Sequence, residues 1–365
     1  MTLGQYEIII VASIVAVSCA LVGVFLVLRK MAMMSDAITH TVLLGIVLGF
    51  FITHDLSSPL LMVGALIMGI ITVYLVETLQ RTRLLSEEAS IGVVFPFIFS
   101  IAIVLISRYA GNVHLDTDAV LLGELAFIPL DRMTLFGLSF PIAYINTGLI
   151  LLIDIFVIKL FFKELQLSSF DALLAATLGF SPIFLNYLLM TLVSITAVGA
   201  FNAVGSVLVI AFMIGPPITA YLLTHDLKKM IALSVLFAIF NVVLGYGVAM
   251  FFDVSIAGSM ALVTGLTFIV VMMLNRENGY ISTRLRIRKQ RHSFSELVIL
   301  FYLKDHDSLK KEELFEAINW DNHKIQGILD HLSSANEIVI SDNHISVTDK
   351  GDSRITSQEA LIFDR

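Results

Sequence analysis

The sequence has one cysteine, Cys19, and carries charge on only 15% of its 365 residues. A single thiol excludes an intrachain disulfide and any metal site built from several thiolates. Cys19 lies inside an apolar run and reads as a packing residue. Two motifs are also missing. There is no G-x-x-x-x-G-K-[ST], so the chain has no phosphate-cradling loop of its own, and there is no H-E-x-x-H. If ATP drives this chain, another subunit hydrolyses it. The first apolar run, about residues 8–28, has no basic stretch before it and is too long for a signal-peptide core. It reads as a retained transmembrane helix.

What the chain has in excess is hydrophobicity. Hydrophobic residues make up 57% of it and the mean hydropathy is +0.90, more than a soluble domain of this size needs. More than half of the charges fall in the last 90 residues, after a long region dominated by uncharged runs. Runs long enough to span a bilayer occur at about 7–28, 60–79, 90–108, 134–160, 183–200, 205–223, 231–252 and 256–274. A shorter one covers about 37–52. The fold class expected is therefore an all-α polytopic membrane protein with nine transmembrane helices, or eight if one is broken or re-entrant.

Short loops set the orientation through their Lys and Arg. Arg29–Lys30, Arg81 and Arg83, Lys159 and Lys163, and Lys228–Lys229 are expected on the cytoplasmic side. The loops between them, at 54–58, 112–118 and 252–258, carry acids and no basic residue. Arg108 and Arg132 flank the middle one and interrupt the pattern. After Leu274 comes RENGYISTRLRIRKQRH, with six basic residues against Glu277. A cluster like this anchors the C-terminal side in the cytoplasm and can rest on anionic lipid.

The division expected is a transmembrane domain at 1–275, a basic linker at 276–291 and a small domain at 292–365. The last reads as three helices followed by a hairpin turning at Asp342–Asn343, the order of a winged helix. It has 7 Lys and Arg against 14 Asp and Glu, while the rest of the chain has 16 of each. A duplex binder needs a basic footprint, so this acidic tail is expected to contact protein rather than nucleic acid.

Asp36 and His40, four residues apart, share one face if the segment is helical. A carboxylate oxygen and an imidazole nitrogen together suit first-row divalent ions such as manganese, iron or zinc. Two ligands do not close a site, but a two-fold dimer would supply two of each. The bland alternative makes Ser35 or Asp36 a helix cap and His40 its neighbour. Other candidates are the first-turn acids Glu87 and Glu88, a loop cluster of His54, His114, Asp116 and Asp118, and Pro216–Pro217. The two prolines are expected to break or kink their helix beside a transport pathway. Residues 168–182, SSFDALLAATLGFSP, read as a short cytoplasmic helix with Ser caps, Asp171 in its first turn, and Gly179 and Pro182 as its stop. Such a helix can dock on a partner.

These motifs together resemble the permease subunits of bacterial ATP-binding-cassette importers for manganese, zinc and iron. The resemblance runs through LRKMAMMSDAITHTVLLGIVLGF, EEASIGVVFPFIFSIAIVLIS, FFKELQLSSFDALLAATLGFSP, AVGSVLVIAFMIGPPITAYLL and DVSIAGSMALVTG, nearly all of residues 1–275. The chain departs from the family pattern at Ser35 (Gly there), Thr39 and Thr41 (Ser and Ala) and Leu44 (Pro). The resemblance implies that Asp36 and His40 coordinate the transported ion in the membrane. It implies that Ser169, Phe170, Asp171, Ala172 and Gly179 belong to a coupling helix that meets the ATPase. It also implies cytoplasmic ATP-binding subunits, an extracellular metal-binding lipoprotein, a second permease subunit (identical or paired), and a bacterial inner-membrane location. No permanently bound cofactor is implied; the metal is cargo, with manganese favoured over zinc and iron. The rival reading is a membrane-tethered, metal-responsive regulator acting through the winged-helix tail. A proton-driven secondary transporter is a third, and the family motifs oppose it.

Overall fold

The computed structural model describes residues 3–55, 58–109, 125–135, 138–275, 279–306, 309–318, 320–341 and 344–363. The chain forms two compact units, Met1–Met272 and Met273–Arg365.

The first unit begins with α1 (Leu3–Leu28), α2 (Ala32–Thr53), α3 (Pro59–Arg81) and α4 (Glu87–Tyr109). A hairpin of β1 (Arg132–Leu135) and β2 (Leu138–Pro141) follows, and then α5 (Ile142–Leu160). Two short helices, α6 (Phe162–Phe170) and α7 (Ala172–Thr177), lead into α8 (Pro182–Val204), α9 (Ser206–Leu223), α10 (Leu227–Phe252) and α11 (Ile256–Leu274). Among the described residues nine helices, all but α6 and α7, are long and apolar enough to cross a membrane. The short apolar run expected at 37–52 is a full-length helix. The run expected at 134–160 is helical only from Ile142, because its start pairs as the antiparallel hairpin Arg132↔Pro141 to Leu135↔Leu138. Pro141, with no N–H to give, stands extended at the N-cap of α5.

α1 is the hub, packing against α5, α8, α9 and α10. Its N-terminal end is fastened by an ion pair. Arg132 donates to both Glu7 oxygens at 3.0 Å and to the Ser139 hydroxyl and carbonyl at 2.7 Å. Arg132, which interrupts the charge pattern of its loop, is neutralised by Glu7. At the other end, Lys30 takes a left-handed conformation (φ 62°), and Lys30 and Met31 donate to the Val27 and Leu26 carbonyls at 3.0 and 2.9 Å. This Schellman closure turns the chain into α2 within three residues.

The most extensive helix contact is α2 on α3. Gly45 and Gly64 face each other so closely that a Cβ on either would overlap the other's carbonyl oxygen. Small residues permit this backbone approach, which is how helices associate where lipid removes the hydrophobic drive. The Thr72 hydroxyl donates to that of Thr41 at 2.8 Å across the same seam.

Pro216 and Pro217 do not break their helix. α9 runs unbroken from Ser206 to Leu223 through both prolines. The interruption comes earlier, at Gly205 (φ 79°, ψ 162°) between α8 and α9. Pro217 has no N–H to return to the Met213 carbonyl, and that oxygen lies against Gly23 of α1, where any side chain would collide with it. Close packing on α1 thus holds the helix together across the missing bond.

The second unit contains α12 (Tyr280–Lys304), β3 (Leu309–Lys310), α13 (Lys311–Ala317), α14 (Asn322–Ser334), β4 (Ile338–Ser341), β5 (His344–Val347) and α15 (Asp349–Phe363). Its antiparallel sheet has the order β3-β5-β4. Arg284, Arg286 and Arg291 lie on α12, which continues without a break into the helix that supplies Ile299, Leu300 and Leu303 to the unit's core. Buried Glu296 ties the unit together: His331 reaches one of its oxygens at 2.8 Å and Arg354 the other at 2.7 Å. Arg354 also pairs with Glu337 at 2.5 Å. Burial works against the Arg354 charge, but the hydrogen bonds it donates to Glu296 and Glu337 outweigh it and raise its pKa. The hairpin residues Asp342 and Asn343 lie outside the described residues.

Candidate functional site

α2 begins at Ala32 with Met31 at its N-cap and no side-chain cap. The Ser35 hydroxyl donates to the Ala32 carbonyl at 2.8 Å. Ser35 and Asp36 are therefore inside the helix, and the capping role is excluded. The buried residues Ser35 and Thr39 turn inward, and Asp36 and His40, one step round the helix from them, lie together on a half-open face. Their side chains are 37% and 23% exposed, with His40 Nε2 3.4 Å from Asp36 Oδ1. The His40 ring rests on α4, with its centroid 5.2 Å from that of Phe95 and 5.9 Å from that of Phe99. Those rings fix the imidazole and exclude water from one side.

The separation has a chemical meaning. With metal–donor bonds of about 2.1 Å, two donors 3.4 Å apart subtend about 108° at one ion, close to the tetrahedral angle. The pair can hold one ion as a half-site. Among the described residues no group of three His, Cys, Asp or Glu is gathered at one place, so further donors must come from water, backbone or another chain.

The other candidates are scattered. Glu87 and Glu88 occupy the first turn of α4, as the dipole argument expects. His54 is the left-handed C-cap of α2, and His114, Asp116 and Asp118 lie outside the described residues.

The expected short helix at 168–182 is divided differently. Ser168 and Ser169 end α6 and are not caps. The Ser169 hydroxyl donates back to the Leu165 carbonyl at 2.6 Å. Asp171 is itself the N-cap of α7, accepting from the Leu174 N–H at 2.9 Å. Ala172 opens α7, and Gly179 (φ 89°) follows its end. Ser181 caps α8, with Pro182 in its first turn. Around this six-residue helix Phe170 is 60% exposed, Leu173 78% and Leu178 61%. It is an apolar knob built on tight caps.

Two residues with structural consequence escaped the sequence reading. Asp154, fully buried in α5, accepts from Thr196 of α8 at 3.0 Å and from Ser18 of α1. Thr196 also reaches the Leu192 carbonyl at 2.9 Å. An acid in the middle of an apolar run was the signal for it. In the sequence Arg29 is only a topology marker; in the fold it is half-buried, and burial pulls its pKa down to about 10, so that it stays cationic at neutral pH.

Comparison with known proteins identifies the family. Residues 5–275 match a family model described as the ABC 3 transport family. The chain is 47% identical over 300 residues, 82% of each chain, to the "Zinc transport system membrane protein TroD" of Treponema pallidum. It is 41% identical over 274 residues, 75% of this chain and 92% of the relative, to the "Manganese transport system membrane protein MntD" of Bacillus subtilis. A solved structure, "PsaBC from Streptococcus pneumoniae in complex with Fab", is similar with a TM-score of 0.64 at 28% identity, covering 79% of this chain and 96% of that one.

Proposed function

The chain belongs to the ABC 3 transport family, and from that membership we propose that it is the membrane permease of an ATP-driven importer of divalent metal, manganese or zinc. The observation that carries this reading is the Asp36–His40 pair, set at 3.4 Å on the half-open face of a membrane helix. Ionisable groups are costly in a bilayer and mark transport routes. The hard oxygen and borderline nitrogen match the cargo named for the relatives. A second permease subunit presenting the same face would supply the missing donors.

The exposed knob at Phe170, Leu173 and Leu178 fits an ATP-binding subunit on the cytoplasmic side, and a metal-binding lipoprotein would deliver the ion from outside. The second unit is read as a cytoplasmic winged helix, supported by the order helix, strand, two helices and hairpin. Its negative charge favours a protein contact over nucleic acid.

The test is ATP-dependent uptake of manganese and of zinc in vesicles holding the whole importer, with wild type beside Asp36→Ala and His40→Ala. Loss of uptake in both variants with assembly intact is the expected result. Uptake that survives both changes would reject the site.

A further inference from the structure

Arg29 directly follows the last residue of α1, and all three of its guanidinium nitrogens are engaged. Nη2 donates to the Ser168 hydroxyl at 2.7 Å and Nε to the Ser169 hydroxyl at 3.1 Å, both on α6. Nη1 donates to Asn186 Oδ1 on α8 at 3.3 Å. The Asn186 amide in turn donates to Glu77 of α3. Each direct partner of Arg29 is neutral, and among the described residues no ion pair to it is found. A planar fork satisfied in three fixed directions specifies geometry more than it supplies charge neutralisation.

The fork connects two places that the sequence keeps far apart. On one side, Ser168 and Ser169 form the final turn of α6, immediately before Phe170 and the Asp171 cap of α7. On the other, Arg29, Lys30 and Met31 are the whole connection from α1 to α2. That connection is stiff, because the Lys30 and Met31 N–H groups are both bonded back into α1. Asp36 lies four residues into α2, about 6 Å along its axis at the helical rise. The turn is also bonded into α2, since the Met34 N–H donates to the Met31 carbonyl at 3.0 Å, so the backbone that carries Arg29 is continuous with the start of the helix that holds the carboxylate.

We propose that Arg29 is a positioning residue that transmits movement of the α6–α7 element to the α1–α2 turn and so sets the placement of Asp36 and His40. This rests on the proposed function, in which α7 meets the ATP-binding subunit and the pair holds the ion. Arg29 touches neither partner nor ion; it acts through the two serines and the turn.

The experiment uses the complete importer in vesicles, with three measurements for each variant: co-purification of the ATP-binding subunit, ATP hydrolysis, and metal taken up per ATP hydrolysed. In Arg29→Ala, co-purification and hydrolysis are expected to persist while uptake per ATP falls about tenfold, within the range that a residue on a coupling path carries. Ser168→Ala combined with Ser169→Ala, which keeps the charge and most of the packing, is expected to uncouple in the same direction. Arg29→Lys, with a point charge and no fork, should fall between wild type and Arg29→Ala.

Uptake per ATP unchanged in Arg29→Ala and in the double serine variant would overturn the proposal. So would a parallel loss of hydrolysis and uptake in both, which a purely structural role predicts. Phe170→Asp separates this from the underlying reading. If its ATP-binding subunit still co-purifies, the docking assignment fails whatever the Arg29 variants do.

Discussion

Asp154 joins three helices at one point, and its removal has a calculable cost. Asp154→Ala deletes the acceptor of the Ser18 and Thr196 hydroxyls. Interhelical side-chain hydrogen bonds in membrane proteins are worth on average about 0.6 kcal/mol each, so the two together contribute about 1.2 kcal/mol. The full penalty for a stranded donor does not apply. Thr196 already reaches the Leu192 carbonyl, and Ser18 can turn to a carbonyl one turn back on α1. The missing carboxyl leaves a void of roughly 20 Å³, which adds about 0.5 kcal/mol if the helices do not close in. The expected loss is therefore about 2 kcal/mol, small against a whole membrane domain but concentrated where α1, α5 and α8 meet. Asp154→Asn offers a sharper contrast. Its oxygen still accepts from Ser18, and its amide can donate to Thr196, whose own proton goes to Leu192. That variant should lie within about 0.5 kcal/mol of wild type, the range of a substitution that breaks no network. Denaturant unfolding of the detergent-solubilised protein, followed by accessibility of Cys19 to a thiol reagent, reports on this junction because Cys19 lies beside Ser18 on α1 and is fully buried. Equal stability of the Ala and Asn variants would refute the hydrogen-bond account.

Gly45→Leu should force α2 and α3 apart at their closest backbone contact and abolish folded protein, seen as loss of the monodisperse peak in size-exclusion chromatography. Glu7→Gln should loosen the hairpin and raise hydrogen exchange across β1 and β2, with an effect that diminishes little with salt because Glu7 is buried. Glu296→Ala removes the buried acceptor shared by His331 and Arg354, leaving Arg354 paired with Glu337, and should destabilise the second unit by about 2 kcal/mol, as losing hydrogen bonds to a charged group does; exchange across α12 and α14 in the intact chain measures it. Asp226, the exposed N-cap of α10, has its pKa lowered first by the Lys229 backbone N–H. A depressed folded-state pKa adds stability that is present above the ordinary carboxylate range and is lost as pH falls through the depressed value. Amides in the first turn of α10 should therefore exchange faster under acid, relative to their intrinsic rates, and Asp226→Ala should remove that pH dependence.

The membrane spans were legible because lipid leaves the backbone no choice but to satisfy its hydrogen bonds within each segment. A long apolar run is then almost sufficient evidence for a helix. The exceptions have local causes. The run at 134–160 hid a hairpin, since β-branched and aromatic residues in an apolar stretch do not declare their period. The prolines at 216 and 217 suggest a break or a kink, and the helix is unbroken because of close packing on Gly23 that the sequence does not reveal. Asp36 and His40 were legible as a pair because four-residue spacing converts directly into a shared helix face. Asp154 and Arg29 were not, since their partners lie on other helices, up to about 157 residues away along the chain. The caps of α7 were placed a few residues off, as helix ends usually are when read from sequence.

The hub position of α1 has a consequence for how the chain is made. The partners α1 needs, Arg132, Asp154, Ser168 and Asn186, all emerge from the ribosome more than a hundred residues after it. Among the helices described, α1 is therefore made well before the partners that complete its contacts, and in the interval lipid must cover most of its surface. Of the nine spans, α1 is both the most deeply buried in the finished bundle and the most apolar. Its finished surroundings do not require that hydrophobicity, because a helix enclosed by protein can tolerate polar residues. The greasiness of α1 is better understood as provision for waiting: it keeps the helix in the bilayer during synthesis, before the rest of the bundle closes round it.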